Sequence, residues 1–176
     1  QDHWGGARGG VNIIRFPFTG PEVQTLSQTD AFTSALNEHT IVCYSGQSRQ
    51  SSLNNWAVFR EVFGRNEKVI APFAEIATLA QSCADAVQAG DVDKTLHLSA
   101  QEWDLRKSLW PDIETDVTRR LDVAGREAGA SFSRICGAGG GGVMVFFCDP
   151  EKRDEVSNAL SSAGGEVMPA QLGVPG

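Results

Sequence analysis

Apolar positions along this chain switch between a strand period and a helix period, and the switches mark its elements. Near the start, Val11-Asn12-Ile13-Ile14-Arg15-Phe16 is rich in β-branched residues and ends against Pro17, which predicts a strand. A polar stretch follows. Thr40-Ile41-Val42-Cys43-Tyr44 predicts a second strand, closed by the small polar loop Ser45-Gly46-Gln47-Ser48-Arg49. The period then becomes helical. Val69, Phe73, Ile76, Ala80, Ala84 and Val87 recur at steps of three and four up to Gly90, a good helix terminator, with Pro72 tolerable only in a first turn. Asp91 is placed to cap a second helix carrying Leu96, Trp103 and Leu109 and stopping before Pro111. Asp112 is placed to cap a third, with Ile113, Val117, Leu121, Ala124 and Ala128 on one face and Gly129 at its end. Trp103 and Trp110 are expected to pack in the core.

The last third returns to the strand period. Ser131 to Cys136 predicts a short strand, Gly137 to Gly142 a glycine-rich turn, and Val143 to Cys148 a buried strand. A helix from about Pro150 to Ala163 and a strand around Glu166-Val167-Met168 follow. Helices packed on one face of a mainly antiparallel sheet make an α+β, ferredoxin-like fold.

The run Gly137-Ala138-Gly139-Gly140-Gly141-Gly142 is the strongest local signal of chemistry. So many glycines in a row are entropically expensive, and close backbone approach or repeated positive φ justifies them. The string matches GxGxxG, but a β-rich run follows it where the dinucleotide fingerprint needs a helix, and no Lys-Ser or Lys-Thr follows as a Walker loop requires. What remains is a strand-loop-strand turn whose amides can form an anion-binding concavity, or that makes room for another part of the protein. The loop Ser45 to Arg49 can present hydroxyls and a guanidinium at a strand end.

Ser133-Arg134-Ile135-Cys136 with the glycine run and Val143 to Cys148 resembles the third conserved motif of GHMP kinases, the galactokinase, homoserine kinase, mevalonate kinase and phosphomevalonate kinase group. Gln1-Asp2-His3-Trp4 with Gly9-Gly10-Val11-Asn12 resembles the segment bearing that superfamily's catalytic aspartate, and Cys43 to Ser52 is similar to a stretch of the bacterial heptose-phosphate kinase branch. The resemblance implies an ATP-dependent kinase acting on a sugar or sugar phosphate, with a heptose-7-phosphate-like acceptor. It casts Asp2 as the catalytic carboxylate, Ser45, Gly46, Ser48 and Arg49 as the acceptor-binding residues, and Gly137, Ala138, Gly139, Gly140, Gly141 and Gly142 as the phosphate or active-site loop. Phosphoryl transfer asks mainly for positioning and charge stabilisation, which a carboxylate near the attacking oxygen supplies.

Two departures qualify the match. His3 stands where the heptose branch usually has glutamine, and no segment resembles the Gly/Ser-rich loop with which the family grips ATP and helps hold magnesium. The chain also opens on Gln1 with no leading element. The resemblance therefore predicts that residues 1–28 are the tail of an N-terminal kinase domain and 29–176 the C-terminal domain. ATP and Mg2+ are then held mainly by a preceding half, no metal is held here, and this fragment is inactive alone. The alternative is a stand-alone ferredoxin-like module that binds a small molecule without catalysis.

Charge narrows the partners. The net charge is −7 and the pI near 4.9, with no basic patch interleaved with aromatics, which argues against nucleic acid and anionic membranes. The apolar run Val143 to Cys148 is far short of the roughly 20 residues of a membrane helix, and no signal peptide opens the chain, so a cytoplasmic location is expected. Cys43, Cys83, Cys136 and Cys148 lack metal spacing and are expected to be buried, reduced thiols. His3, His39 and His97 are too scattered for a metal site.

Overall fold

The computed structural model describes residue 7 and residues 10–26, 29–48 and 54–170. Strand β1 (Val11–Arg15) pairs antiparallel with β2 (Glu22–Leu26) in a two-stranded sheet. Helix α1 (Asp30–His39) leads into β3 (Thr40–Tyr44), followed by helices α2 (Asn54–Phe63), α3 (Glu67–Ala89) and α4 (Val92–Leu109). A 3-10 turn (Pro111–Ile113) precedes α5 (Asp116–Glu127), β4 (Ala130–Ile135) and β5 (Val143–Cys148). A second 3-10 turn (Pro150–Lys152), α6 (Arg153–Ser162) and β6 (Glu166–Met168) complete the order.

The main sheet runs β4-β5-β3-β6, with every neighbouring pair antiparallel. The first of these strands in sequence, β3, lies between β5 and β6, which is the split arrangement of the ferredoxin-like fold. Alternation along β3 and β5 sends Ile41, Cys43, Met144 and Phe146 into one core with Leu121 of α5 and Val156 and Leu160 of α6. The α5 helix sits close to the sheet because Gly125 lacks a side chain, and a Cβ there would lie 2.7 Å from the Phe146 ring. Trp103 is buried in the same core and Trp110 packs against it.

A smaller cluster joins Leu26 of β2, Phe32 of α1 and Ala84 and Val87 of α3, with Val11 and Ile13 packed against it. The hairpin is thus tied to α3, since two strands alone are marginal without such a backing. β2 and α1 were not expected from the sequence. Each places one large side chain, Leu26 or Phe32, in the buried set, so neither shows a clear apolar period. The same holds for α2, of which Trp56, Phe59 and Phe63 are exposed.

Helix ends also differ from expectation. Asn66 caps α3 by accepting from the Lys68 amide, so the helix starts early enough to leave Pro72 in its second turn. Asp91 caps α4 as expected, accepting from the Lys94 amide at 2.9 Å. Asp112 does not cap α5. It lies in the 3-10 turn, and Thr115 forms a reciprocal capping box with Thr118 instead. All four cysteines are free thiols, but only Cys43 and Cys148 are fully buried, while Cys83 and Cys136 are half-buried. Burial, with a smaller contribution from the Glu166 charge, pushes the Cys43 thiol up to about 11.

Candidate functional site at the glycine loop

The antiparallel register of β4 and β5 closes with the Cys136 amide donating to the Val143 carbonyl at 2.8 Å, which throws residues 137–142 out as a loop beyond the sheet. Gly137, Gly139, Gly140, Gly141 and Gly142 all have φ between 75° and 111°. That is backbone that L side chains avoid. Space is equally restrictive at two of them. A Cβ at Gly139 would lie 2.4 Å from Ile113 Cγ1, and one at Gly141 would lie 3.1 Å from the Gln47 carbonyl oxygen.

Contacts from three other segments fix the loop. The Gly140 amide donates to the Ile113 carbonyl and the Gly142 amide to the Gln47 carbonyl, each at 2.9 Å, while the Ser45 amide donates to the Gly142 carbonyl at 2.9 Å. Gln47 is a junction, because its side-chain Oε1 also accepts from Thr115 Oγ1 at 2.8 Å. The cap of α5, the loop after β3 and the glycine loop therefore form one connected unit. The third segment is α4, from which Arg106 Nη2 donates to the Gly137 carbonyl at 2.8 Å. The Arg106 guanidinium lies 5.8 Å from the Trp103 ring and 5.9 Å from the Trp110 ring, and Glu102 stands 3.8 Å from its Nε. Trp110 is in turn braced edge-on by Phe73, with ring centres 5.6 Å apart.

The structure brings two groups of expected site residues together and divides their parts. Ser45 is buried, and its hydroxyl accepts from the Gln47 amide at 3.4 Å, so it shapes the loop from inside. Gly46 and Ser48 are exposed, and Gly46 sits at φ 75°. In the glycine loop, Gly139, Gly140 and Gly141 are buried against Ile113 and Gln47, whereas Gly137, Ala138 and Gly142 reach partway to solvent. The Gly140 and Gly142 amides are committed to the loop's own anchorage, so neither is free to hold an anion. Asp2 and Arg49 lie outside the described residues. Among the described residues no group of three or more His, Cys, Asp and Glu side chains is placed to hold a metal ion, and no helix is long and apolar enough to cross a membrane.

Sequence reasoning missed Gln47, Arg106, Ile113 and Thr115 as parts of this unit. In sequence, Arg106 pairs with Glu102 one helical turn back, and nothing local marks its reach to Gly137.

Residues 83–166, which run from α3 through the glycine loop to β6, match the family described as GHMP kinases C terminal. The chain resembles a GHMP kinase C-terminal domain over this segment. It is 23% identical over 172 residues to the D-glycero-alpha-D-manno-heptose 7-phosphate kinase of Campylobacter jejuni subsp. jejuni, a match covering 96% of this chain and 49% of that protein. It is 41% identical over 64 residues to the mevalonate kinase of Thermococcus gammatolerans, covering 36% of this chain and 19% of that protein. A solved structure from Campylobacter jejuni, described as a candidate sugar kinase, superposes with a TM-score of 0.73 at 24% identity, covering 98% of this chain and 48% of that one. The chain thus spans about half the length, or less, of these relatives. The α+β architecture of the GHMP kinase C-terminal domain is shared with that solved structure, and the glycine loop lies inside the matched segment.

Proposed function

We propose that this chain forms the acceptor side of an ATP-dependent sugar kinase that phosphorylates a sugar or sugar phosphate, with a heptose 7-phosphate the best-fitting acceptor class. The observation that carries the reading is the direct anchoring of the glycine loop to the loop after β3, through the Gly142 amide on the Gln47 carbonyl and the Ser45 amide on the Gly142 carbonyl. Two segments that resemble the family's substrate and phosphate regions thereby share one rim. The similarity to a heptose 7-phosphate kinase over nearly the whole chain supports the acceptor class.

In this reading Gly46, Ser48 and Arg49 hold acceptor hydroxyls or the acceptor phosphate, the last by a forked pair of hydrogen bonds. Ser45 holds that loop in shape from beneath. The half-exposed positions Gly137 and Ala138 face the transferred or resident phosphate. Asp2 orients or deprotonates the attacking hydroxyl. Residues 1–28 belong to an N-terminal kinase domain. ATP and Mg2+ are bound mainly by sequence outside this chain, which spans 49% of the heptose 7-phosphate kinase. The test is an ATP-consumption screen of the product of the complete reading frame over sugars and sugar phosphates. Turnover should be greatest with a heptose 7-phosphate. Turnover with none of them would favour a binding module without catalysis.

A further inference from the structure

Gln47 lies across the seam between the loop after β3 and the glycine loop. Its carbonyl oxygen accepts from the Gly142 amide at 2.9 Å, and a Cβ at Gly141 would come within 3.4 Å of its Cβ and Cγ. The bare backbone of Gly141 is what lets the Gln47 stem lie against the glycine loop.

The carboxamide beyond that stem has one orientation. The Thr118 hydroxyl donates to the Thr115 carbonyl at 3.0 Å and the Thr118 amide to Thr115 Oγ1 at 3.2 Å, so the Thr115 hydroxyl proton is left for Gln47 Oε1, 2.8 Å away. Thr115 thus takes the oxygen of the carboxamide and leaves Nε2 on the other side, with its two N–H donors. Among the described residues these donors have no partner. The orphaned polar atoms that are buried lie elsewhere, at Glu102 Oε2 and Trp110 Nε1, so Gln47 Nε2 is open to solvent, between the exposed residues Gly46 and Ser48. A donor pair held in place beforehand spares a ligand the cost of ordering it.

We propose that Gln47 is a specificity-determining residue of the acceptor site, whose Nε2 donates to an oxygen of the sugar. The proposal rests on the kinase reading above and adds a neutral contact at the junction of its two loops. With Oε1 engaged by Thr115, the free end has donors and no acceptor, so it recognises an oxygen lone pair. A hydroxyl oxygen and a phosphate oxygen share that chemistry.

Gln47→Glu separates the two ends of the carboxamide. One carboxylate oxygen still accepts from Thr115, while the donor pair becomes an acceptor facing the ligand. In the product of the complete reading frame, this variant should raise KM for heptose 7-phosphate at least about tenfold, the scale of one lost hydrogen bond. KM for ATP and the melting temperature should change little, which a general loosening of the fold would not allow. A loss seen with heptose 7-phosphate and absent with the unphosphorylated heptose assigns the contact to the phosphate, and the same loss with both assigns it to a hydroxyl. Unchanged KM for both sugars in the folded variant would overturn the proposal and leave the kinase reading standing. If Gln47→Glu does not fold, Gln47→Met keeps the stem and takes its place with the same expectations. If the parent protein turns over no sugar, the kinase reading fails separately, and calorimetric titration with heptose 7-phosphate decides the role of Gln47. Binding that weakens at least about tenfold in the variant supports the contact. No binding to the parent, or equal binding to both proteins, contradicts it.

Discussion

The guanidinium of Arg106 and the carbonyl of Gly137 are joined by a 2.8 Å hydrogen bond across 31 residues of sequence, linking helix α4 to the entrance of the glycine loop. Arg106 is mostly buried, at 17% side-chain exposure, and lies near the rings of Trp103 and Trp110. Replacing it with methionine keeps much of the packing and removes the donor to a partly buried carbonyl. The expected loss of stability is about 1–3 kcal/mol, read from urea unfolding. Amide exchange should accelerate at Gly140 and Gly142 while the centre of α5 remains protected. Uniform acceleration across both would mean that Arg106 supports the whole domain rather than the loop.

Two glycines of the loop separate conformation from close packing. Gly142 has φ 84°, and a Cβ added there would meet no atom within 4 Å, whereas Gly139 has φ 90° and its added Cβ would lie 2.4 Å from Ile113 Cγ1. Gly142→Ala should therefore cost about 1–2 kcal/mol, from left-handed backbone alone. Gly139→Ala should cost a further ~1–3 kcal/mol, because Ile113 must move within a packed core. Thermal or denaturant melts of the two variants check this. Equal losses would contradict the close approach of the loop to the 3-10 turn.

The protonation of Cys43 gives the fold a predictable weakness in alkali. Burial raises its thiol to about 11, with the Glu166 charge adding to the effect. The folded state then keeps a proton that the unfolded chain gives up nearer the ordinary thiol value. The resulting contribution is complete below the unfolded value and is lost as pH rises through the folded one. Urea midpoints measured between about pH 8 and pH 11 should fall, and the fall should be shallower in Cys43→Ala, which itself starts from a lower midpoint. An unchanged slope in that variant would assign the alkaline loss to other groups, such as Cys148, which burial also raises.

The strands β3 and β5 were legible from sequence because each is a continuous apolar run buried against α5 and α6. The caps at Asp91 and Gly90 were legible because a cap is a local device. By contrast, α1 and β2 each contribute a single large residue to the buried set, so their packing against α3 carries little periodic signal. The glycine loop announced itself by composition. Its anchors did not, because Thr115 meets Gln47 across 68 residues and Arg106 meets Gly137 across 31. Such pairings come from topology, as β3 is brought beside β5 only once the sheet assembles. The loop's glycines therefore answer to two needs at once, room for Ile113 and Gln47 beneath and a rim open to solvent above.

The kinase reading depends most on Asp2. The direct measurement is sugar-dependent ADP formation by the product of the complete reading frame, compared with its Asp2→Asn variant. A positioned acid-base carboxylate predicts a fall in turnover of about 10²–10⁴ with little change in melting temperature. Turnover equal to that of the parent protein would remove Asp2 from the mechanism and contradict the account.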